Sequence, residues 1–155
     1  MPSYCDNVLL DEYLDIQGYE KKDTSLVLHR SLESANFIAS ALTEHTAKNW
    51  LSAFSRISGQ NNSQNNDHLA ILERINDTNI MSVLVKDGIE VACGIGVISN
   101  GYFGIFNVFT HPKYRNNGFG EELILSLLNW AVEKKAKHAY IQVVADNEAA
   151  IKLYK

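Results

Sequence analysis

Between Thr110 and Lys135 the chain reads THPKYRNNGFGEELILSLLNWAVEKK. Two glycines, Gly118 and Gly120, fall where a strand-like run ends and a long amphipathic run begins. Backbone N–H groups in the first turn of a helix lack intrahelical partners, and the aligned peptide dipoles leave partial positive charge there. Anions bind at such places. Glycine removes side chains that would hold a phosphate off the backbone and admits φ values closed to other residues. Arg115 adds a charge-assisted contact, and Pro112 stiffens the approach from the strand. The stretch reads either as a pyrophosphate seat or as a tight structural junction, and a bare GxG does not separate the two. A phosphate loop would end in Gly-Lys-Ser/Thr, and a dinucleotide fingerprint would carry three glycines. Neither pattern is present.

Outward from this junction the texture is regular. Residues 82–86, 89–98 and 103–110 are rich in β-branched and aromatic side chains and predict three strands. Asp87-Gly88 and Asn100-Gly101 separate them, and both pairs favour two-residue hairpin turns. A helix is predicted from about Gly118 to Lys135, then a strand over residues 138–145, then a helix from near Asn147. An antiparallel meander feeding a βαβ unit makes a mixed sheet. The class is α/β (α+β by some schemes), with helices on both faces. Upstream, a short helix, a break at Gly18-Tyr19 and a strand over residues 25–29 open the chain. Residues 34–57 read as helical, with Ala47, Trp50, Leu51, Phe54 and Ile57 on one buried face and an interruption expected at 43–46. The polar stretch GQNNSQNN, residues 59–66, predicts a loop. A short helix follows from about Asp67, a candidate cap.

The chain has 155 residues, enough for one domain with its own core. A net charge of -4 gives no general reason to bind nucleic acid. The aromatic series Tyr102, Phe103, Phe106 and Phe109 lacks interleaved Lys and Arg, so it reads as sheet core and ligand wall rather than a base-stacking platform. No apolar run approaches the roughly 18 residues of a membrane span, and the N-terminus does not resemble a secretory signal. Cys5 and Cys93 are too few for a disulfide framework, which fits a cytoplasmic protein. Cys93 lies in a strand and is expected to be a buried apolar residue. His29, His45, His68 and His138 show no metal-ligand spacing, so no metal is expected.

The segment His111-Pro112-Lys113-Tyr114-Arg115-Asn116-Asn117-Gly118-Phe119-Gly120 resembles the acetyl-CoA-binding segment of the GCN5-related N-acetyltransferases. There, Arg/Gln-x-x-Gly-x-Gly/Ala follows the fourth strand. The helix after it, the strand AYIQVVA and the run from Asn147 to Tyr154 resemble the same family in the same order. The last of these is similar to its Asn-x-x-Ala-x-x-Leu-Tyr helix. The resemblance covers residues 82–155.

What the resemblance implies is an N-acetyltransferase that moves the acetyl group of acetyl-CoA to a primary amine of a small molecule or peptide. Backbone N–H groups of Asn116, Asn117, Gly118, Phe119 and Gly120 would hold the pyrophosphate, with Arg115 ordering the loop. The strands at 103–110 and from 138 would splay, and the backbone around Val108, Phe109 and Thr110 would bond the pantetheine arm. Tyr154 would protonate the leaving thiolate, and Asn147 would cap the last helix. No base emerges. Asn107 stands where relatives can carry an acid, and an amide is not a base. His111 precedes Pro112 and reads as a turn residue, while Glu90 and Tyr102 qualify by chain position only. The alternative is a non-catalytic acyl-CoA-binding or regulatory module.

The chain also departs from the family pattern. It stops one residue after Tyr154, where relatives continue into a final hairpin. Its start, Leu14-Asp15-Ile16-Gln17-Gly18-Tyr19-Glu20 and the strand after it, resembles the tail of such a domain. The expectation is an N-terminal segment, residues 1–30, joined to an acetyltransferase-like domain, residues 31–155, as in the C-terminal half of a tandem protein. The alternative is that the first strand fills a sheet edge. An unfinished edge makes a homodimer worth expecting.

Overall fold

The computed structural model describes residues 8–20, 22–33, 35, 37, 40, 42–60 and 65–154. Cys5, the middle of the polar stretch at 61–64, parts of the expected helix before residue 42, and Lys155 lie outside the described residues. The elements run α1 (Val8–Ile16), β1 (Ser25–Ser31), α2 (Ala47–Ser58), α3 (Asn65–Leu72), β2 (Thr78–Lys86), β3 (Ile89–Ser99), β4 (Tyr102–Thr110), α4 (Phe119–Glu133), β5 (His138–Val144) and α5 (Glu148–Tyr154). A 3-10 turn, Pro112–Tyr114, lies between β4 and α4.

The five strands form one sheet in the order β1-β5-β4-β3-β2. β2, β3 and β4 are the expected antiparallel meander. Both hairpin turns take positive φ at both central residues, Asp87 (49°) with Gly88 (77°) and Asn100 (50°) with Gly101 (81°). That geometry matches the right-handed twist of the strands they join. β4 and β5 are parallel, the product of the α4 crossover.

β1 runs antiparallel to β5 along its whole length, from Ser25 opposite Val144 to Ser31 opposite His138. β1 thus fills an edge of the sheet of its own chain. It also crosses residue 30, so the N-terminal segment contributes a strand to the sheet of the domain that follows.

Two cores lie on opposite faces. On one, Leu123, Leu127 and Ala131 of α4 pack on Phe103, Ile105, Ala139 and Ile141 of the sheet. On the other, Trp50, Leu51, Ala53 and Ile57 of α2 pack on Met81, Val83, Cys93 and Ile95. Trp50 is fully buried, and its indole N–H donates to the Ser82 carbonyl at 3.1 Å.

Two helix boundaries differ from expectation. α2 begins at Ala47 rather than near residue 34, because Thr46 Oγ1 accepts the Asn49 N–H as an N-cap. The residues just before it are drawn to the sheet, with Glu44 bridging Ser82 and the His45 N–H donating to the Met81 carbonyl. α3 begins at Asn65, so Asp67 stands in the first turn and not at the cap. Among the described residues no helix is long and apolar enough to cross a membrane.

Candidate active site

The site starts with the loop between β4 and α4. His111 caps the 3-10 turn, its Nδ1 accepting the Lys113 N–H at 3.2 Å. Asn116 takes φ 63°, and Asn117 Nδ2 donates to the carbonyls of Tyr114 (3.1 Å) and Arg115 (3.0 Å). Gly118 follows at φ 79° as the N-cap of α4 and makes no side-chain capping bond. The first donors of a 15-residue helix are thus left without a capping side chain. Arg115 folds back over the strand end. Its Nε donates to the Thr110 carbonyl at 3.3 Å, and its guanidinium lies 5.5 Å from the Phe109 ring centroid.

Pairing between β4 and β5 stops at Ile105 opposite Ile141, although both strands run on. Beyond that point the β5-facing edge of β4 has no strand partner, while its other edge stays bonded to β3 through Phe109 and Thr110. The strands open into a cleft of ≈ 430 Å³. Val108, Phe109 and Thr110 form one wall, and Arg115, Asn116, Gly118, Phe119 and Gly120 form the end. Asn147, just before α5, and Tyr154, at its end, close the other side. Asn147 Oδ1 accepts the Ala150 N–H at 3.1 Å, the capping role expected of it. Burial pushes the Tyr154 phenol up from its ordinary value of 10.0, so it keeps its proton. The structure therefore brings together every residue singled out for this site except Asn117. That side chain braces the loop and does not line the cleft.

Sequence reasoning missed Tyr114, Glu121 and Leu153, which also line the cleft. Glu121 lies in the first turn of α4, a position acidic residues favour; only the fold turns it towards the cleft.

A second recess, of ≈ 530 Å³, opens on the opposite face of the sheet. Phe106 and Asn107 of β4 line it, together with His68 and Ile71 of α3, Asp77 and Tyr140. Consecutive residues of β4 line the two, Phe106 and Asn107 the recess and Val108 the cleft. The strand is irregular there. Ile95 pairs with Phe106 and Cys93 with Phe109, so Asn107 and Val108 together oppose Gly94 in a bulge. Asn107 has φ 50°, a conformation asparagine tolerates better than most residues. Its Nδ2 lies 3.2 Å from His68 Nε2. The His68 ring in turn stands edge-on to Trp50 and Phe54, with centroids 6.2 and 6.0 Å away. No spacing in the sequence joins residue 68 to residue 107.

Two of the named base candidates belong elsewhere. Glu90 and His111 line a separate recess beside α2. Arg56 grips Glu90 with Nε and Nη2 at 2.9 and 2.7 Å, and those hydrogen bonds hold the carboxyl below its ordinary value of 4.5. Tyr102 does reach the recess across the sheet, but its ring stacks on His138 at 5.0 Å. Cys93 is buried as expected, and desolvation pushes its thiol up to about 12, so it is no nucleophile.

The profile of the Acetyltransferase (GNAT) family matches residues 40–155. An uncharacterized N-acetyltransferase, YobR, from Bacillus subtilis (strain 168) is 26% identical over 152 residues, covering 94% of this chain and 62% of its own length. Among solved structures, a GCN5-related N-acetyltransferase from Sphaerobacter thermophilus superimposes with a TM-score of 0.69 at 15% identity. That match covers 92% of this chain and 49% of the other. AAC(6')-Iy, solved in complex with the bisubstrate analog CoA-S-monomethyl-acetylneamine, gives 0.60 at 16% identity over 74% and 86% of the two chains. At these identities the structural likenesses speak for the fold. The chain spans 62% of the curated relative and about half of the first structural one.

Proposed function

This chain belongs to the Acetyltransferase (GNAT) family, and on that premise we propose that it transfers the acetyl group of acetyl-CoA to a primary amine of a small molecule or peptide. The observation that carries the reading is the bare N-terminus of α4, which opens onto a cleft walled by β4 next to the bulge, with a second recess lined by the bulge's other residue. A pyrophosphate suits the first part. The backbone N–H groups of residues 116–120 supply donors, the helix dipole supplies positive potential, and Arg115 adds a fixed cation. The unpaired edge of residues 106–110 offers amide-bonding groups to a pantetheine arm, as to an added strand. Acetyl-CoA would bring the activated thioester.

The chain's own residues then have distinct tasks. The bulge at Asn107 and Val108 places one residue in the lining of the recess and the next in that of the cleft, and in this reading the donor lies in the cleft while the acceptor enters from the recess. Tyr154, half-buried and kept protonated by burial, donates its hydroxyl proton to the departing sulfur. Asn147 holds the start of the helix that carries it.

Calorimetric titration with acetyl-CoA, followed by thiol-release assays over a panel of primary amines, tests the reading. Binding with amine-dependent thiol release is the expected result. Tyr154→Phe is expected to keep the binding and to lower release about 100-fold, the scale of one lost general acid. Binding without release from any amine would favour the acyl-CoA-binding module. No binding would overturn both.

A further inference from the structure

We infer that His68 is the base that accepts the proton of the acceptor's ammonium group, an inference that rests on the acetyl-transfer reading and adds the residue it lacks. An ammonium nitrogen has no lone pair with which to attack, so a group near the β4 bulge must first take a proton. Along β4 that stretch offers Phe106, Asn107 and Val108, none of them a base. Across from it, His68 Nε2 lies 3.2 Å from Asn107 Nδ2. In the tautomer this base requires, Nε2 carries the lone pair and accepts from that amide NH₂, with the imidazole proton on Nδ1. The lone pair is therefore directed at the bulge. An ammonium N–H is the same kind of donor and takes the same seat when it displaces the amide.

The surroundings fix the ring for this task. The ring stands perpendicular to the stacked Trp50 and Phe54 rings of α2, and its Nε2 meets Asn107 of β4. Asn107 is thus a positioning residue. The charged groups that share the recess are Arg74 and Asp77. A guanidinium has no proton-accepting role. Asp77 is the rival base, but its place is beyond the end of α3 and not at the bulge. In the step itself an N–H bond of the ammonium breaks, its electron pair stays on nitrogen, and the proton passes to Nε2. The imidazolium later returns that proton to water, so one proton appears in solvent for each acetyl group moved.

The test compares two acceptors. 2-Phenylethylamine is an ammonium ion at neutral pH, with an aromatic body suited to Tyr102, Phe106 and Tyr140. Hydroxylamine is already mostly neutral and needs no base. His68→Gln should lower thiol release with 2-phenylethylamine about 100-fold and leave a kcat/KM that keeps climbing with the free-amine fraction, without the plateau that a titrating base imposes. With hydroxylamine the loss should be several-fold at most, and acetyl-CoA affinity by calorimetry should be unchanged. In the wild-type protein without ligand, imidazole ¹⁵N shifts should place the lone pair on Nε2. Equal losses with both amines, an unaltered pH profile, or shifts placing the proton on Nε2 would overturn the assignment. So would an acceptor-selective loss produced by Asp77→Asn instead. A wild-type protein that binds acetyl-CoA but releases no thiol with these two or any other amine of the panel would overturn the acetyl-transfer reading, and this base with it.

Discussion

Gly118 and Gly120 stand two residues apart and answer to different forces. Gly118 has open space around it but a φ of 79°, so its need is conformational. A Cβ at Gly120 would sit 3.1 Å from Thr110 Oγ1 and 3.2 Å from Leu153 Cδ2, so its need is packing of α4 against β4 and α5. The sequence motif presents the two as one device for admitting phosphate. Gly118→Ala should lower stability by about 1–2 kcal/mol, the cost of a side chain in the left-handed region, as measured by urea denaturation. Arg115→Ala tests the seat without touching the turn. It should weaken acetyl-CoA binding about tenfold, the scale of a hydrogen bond to a charged group, and the deficit should shrink as salt is added. Asn107 carries a similar lesson. Its amide looks like a lost acid in the sequence, yet its φ of 50° explains the residue type on backbone grounds.

At the scale of elements, the β-branched and aromatic runs and the two Asx-Gly turns made β2 to β4 legible, because strand propensity and turn chemistry are local properties. The bulge in β4 was not legible. It depends on how β3 and β4 align, and nothing within residues 103–110 counts the partner's residues. The start of α2 was misplaced for a related reason, since the apolar run continues upstream while contacts with β2 hold those residues extended. Gly96 shows how closely the strands are packed on the α4 side. A Cβ there would overlap the ring of Phe103, which is fully buried against Trp130. Gly96→Ala should therefore cost about 1–3 kcal/mol through overpacking, read as a lower denaturation midpoint. Gly88→Ala, where nothing lies nearby, should show only the smaller turn penalty.

For the whole molecule, two ion pairs tie separate parts of the chain to the sheet. Arg56 of α2 holds Glu90 of β3, and Lys86 of β2 holds Glu122 of α4 at 2.6 Å, where Ser40 also donates to the carboxylate. Hydrogen bonds from these partners keep both carboxyls below their ordinary value of 4.5. The sign follows from linkage. The unfolded chain takes up protons first, so the stabilisation is complete above that value and is lost as pH falls through the depressed folded values. Tm should hold from neutral pH down to about 5 and then fall. Glu122→Gln should lower Tm at neutral pH by a small amount, because the pair is partly exposed, and should flatten the acid limb. β1 belongs to this scale as well, since its place beside β5 follows from the sheet order and not from its own residues. By itself the sequence determined the mixed sheet, the hairpins, the crossover helix and the glycine junction before it, because each rests on interactions within a few residues or one turn. Only the tertiary structure decided which strand covers β5, where β4 bulges, that Glu90 and His111 line a recess other than the cleft at α4, and that His68 meets Asn107 across 39 residues of chain. Such contacts arise from packing two faces of one sheet, and no local pattern encodes which distant residues packing brings together.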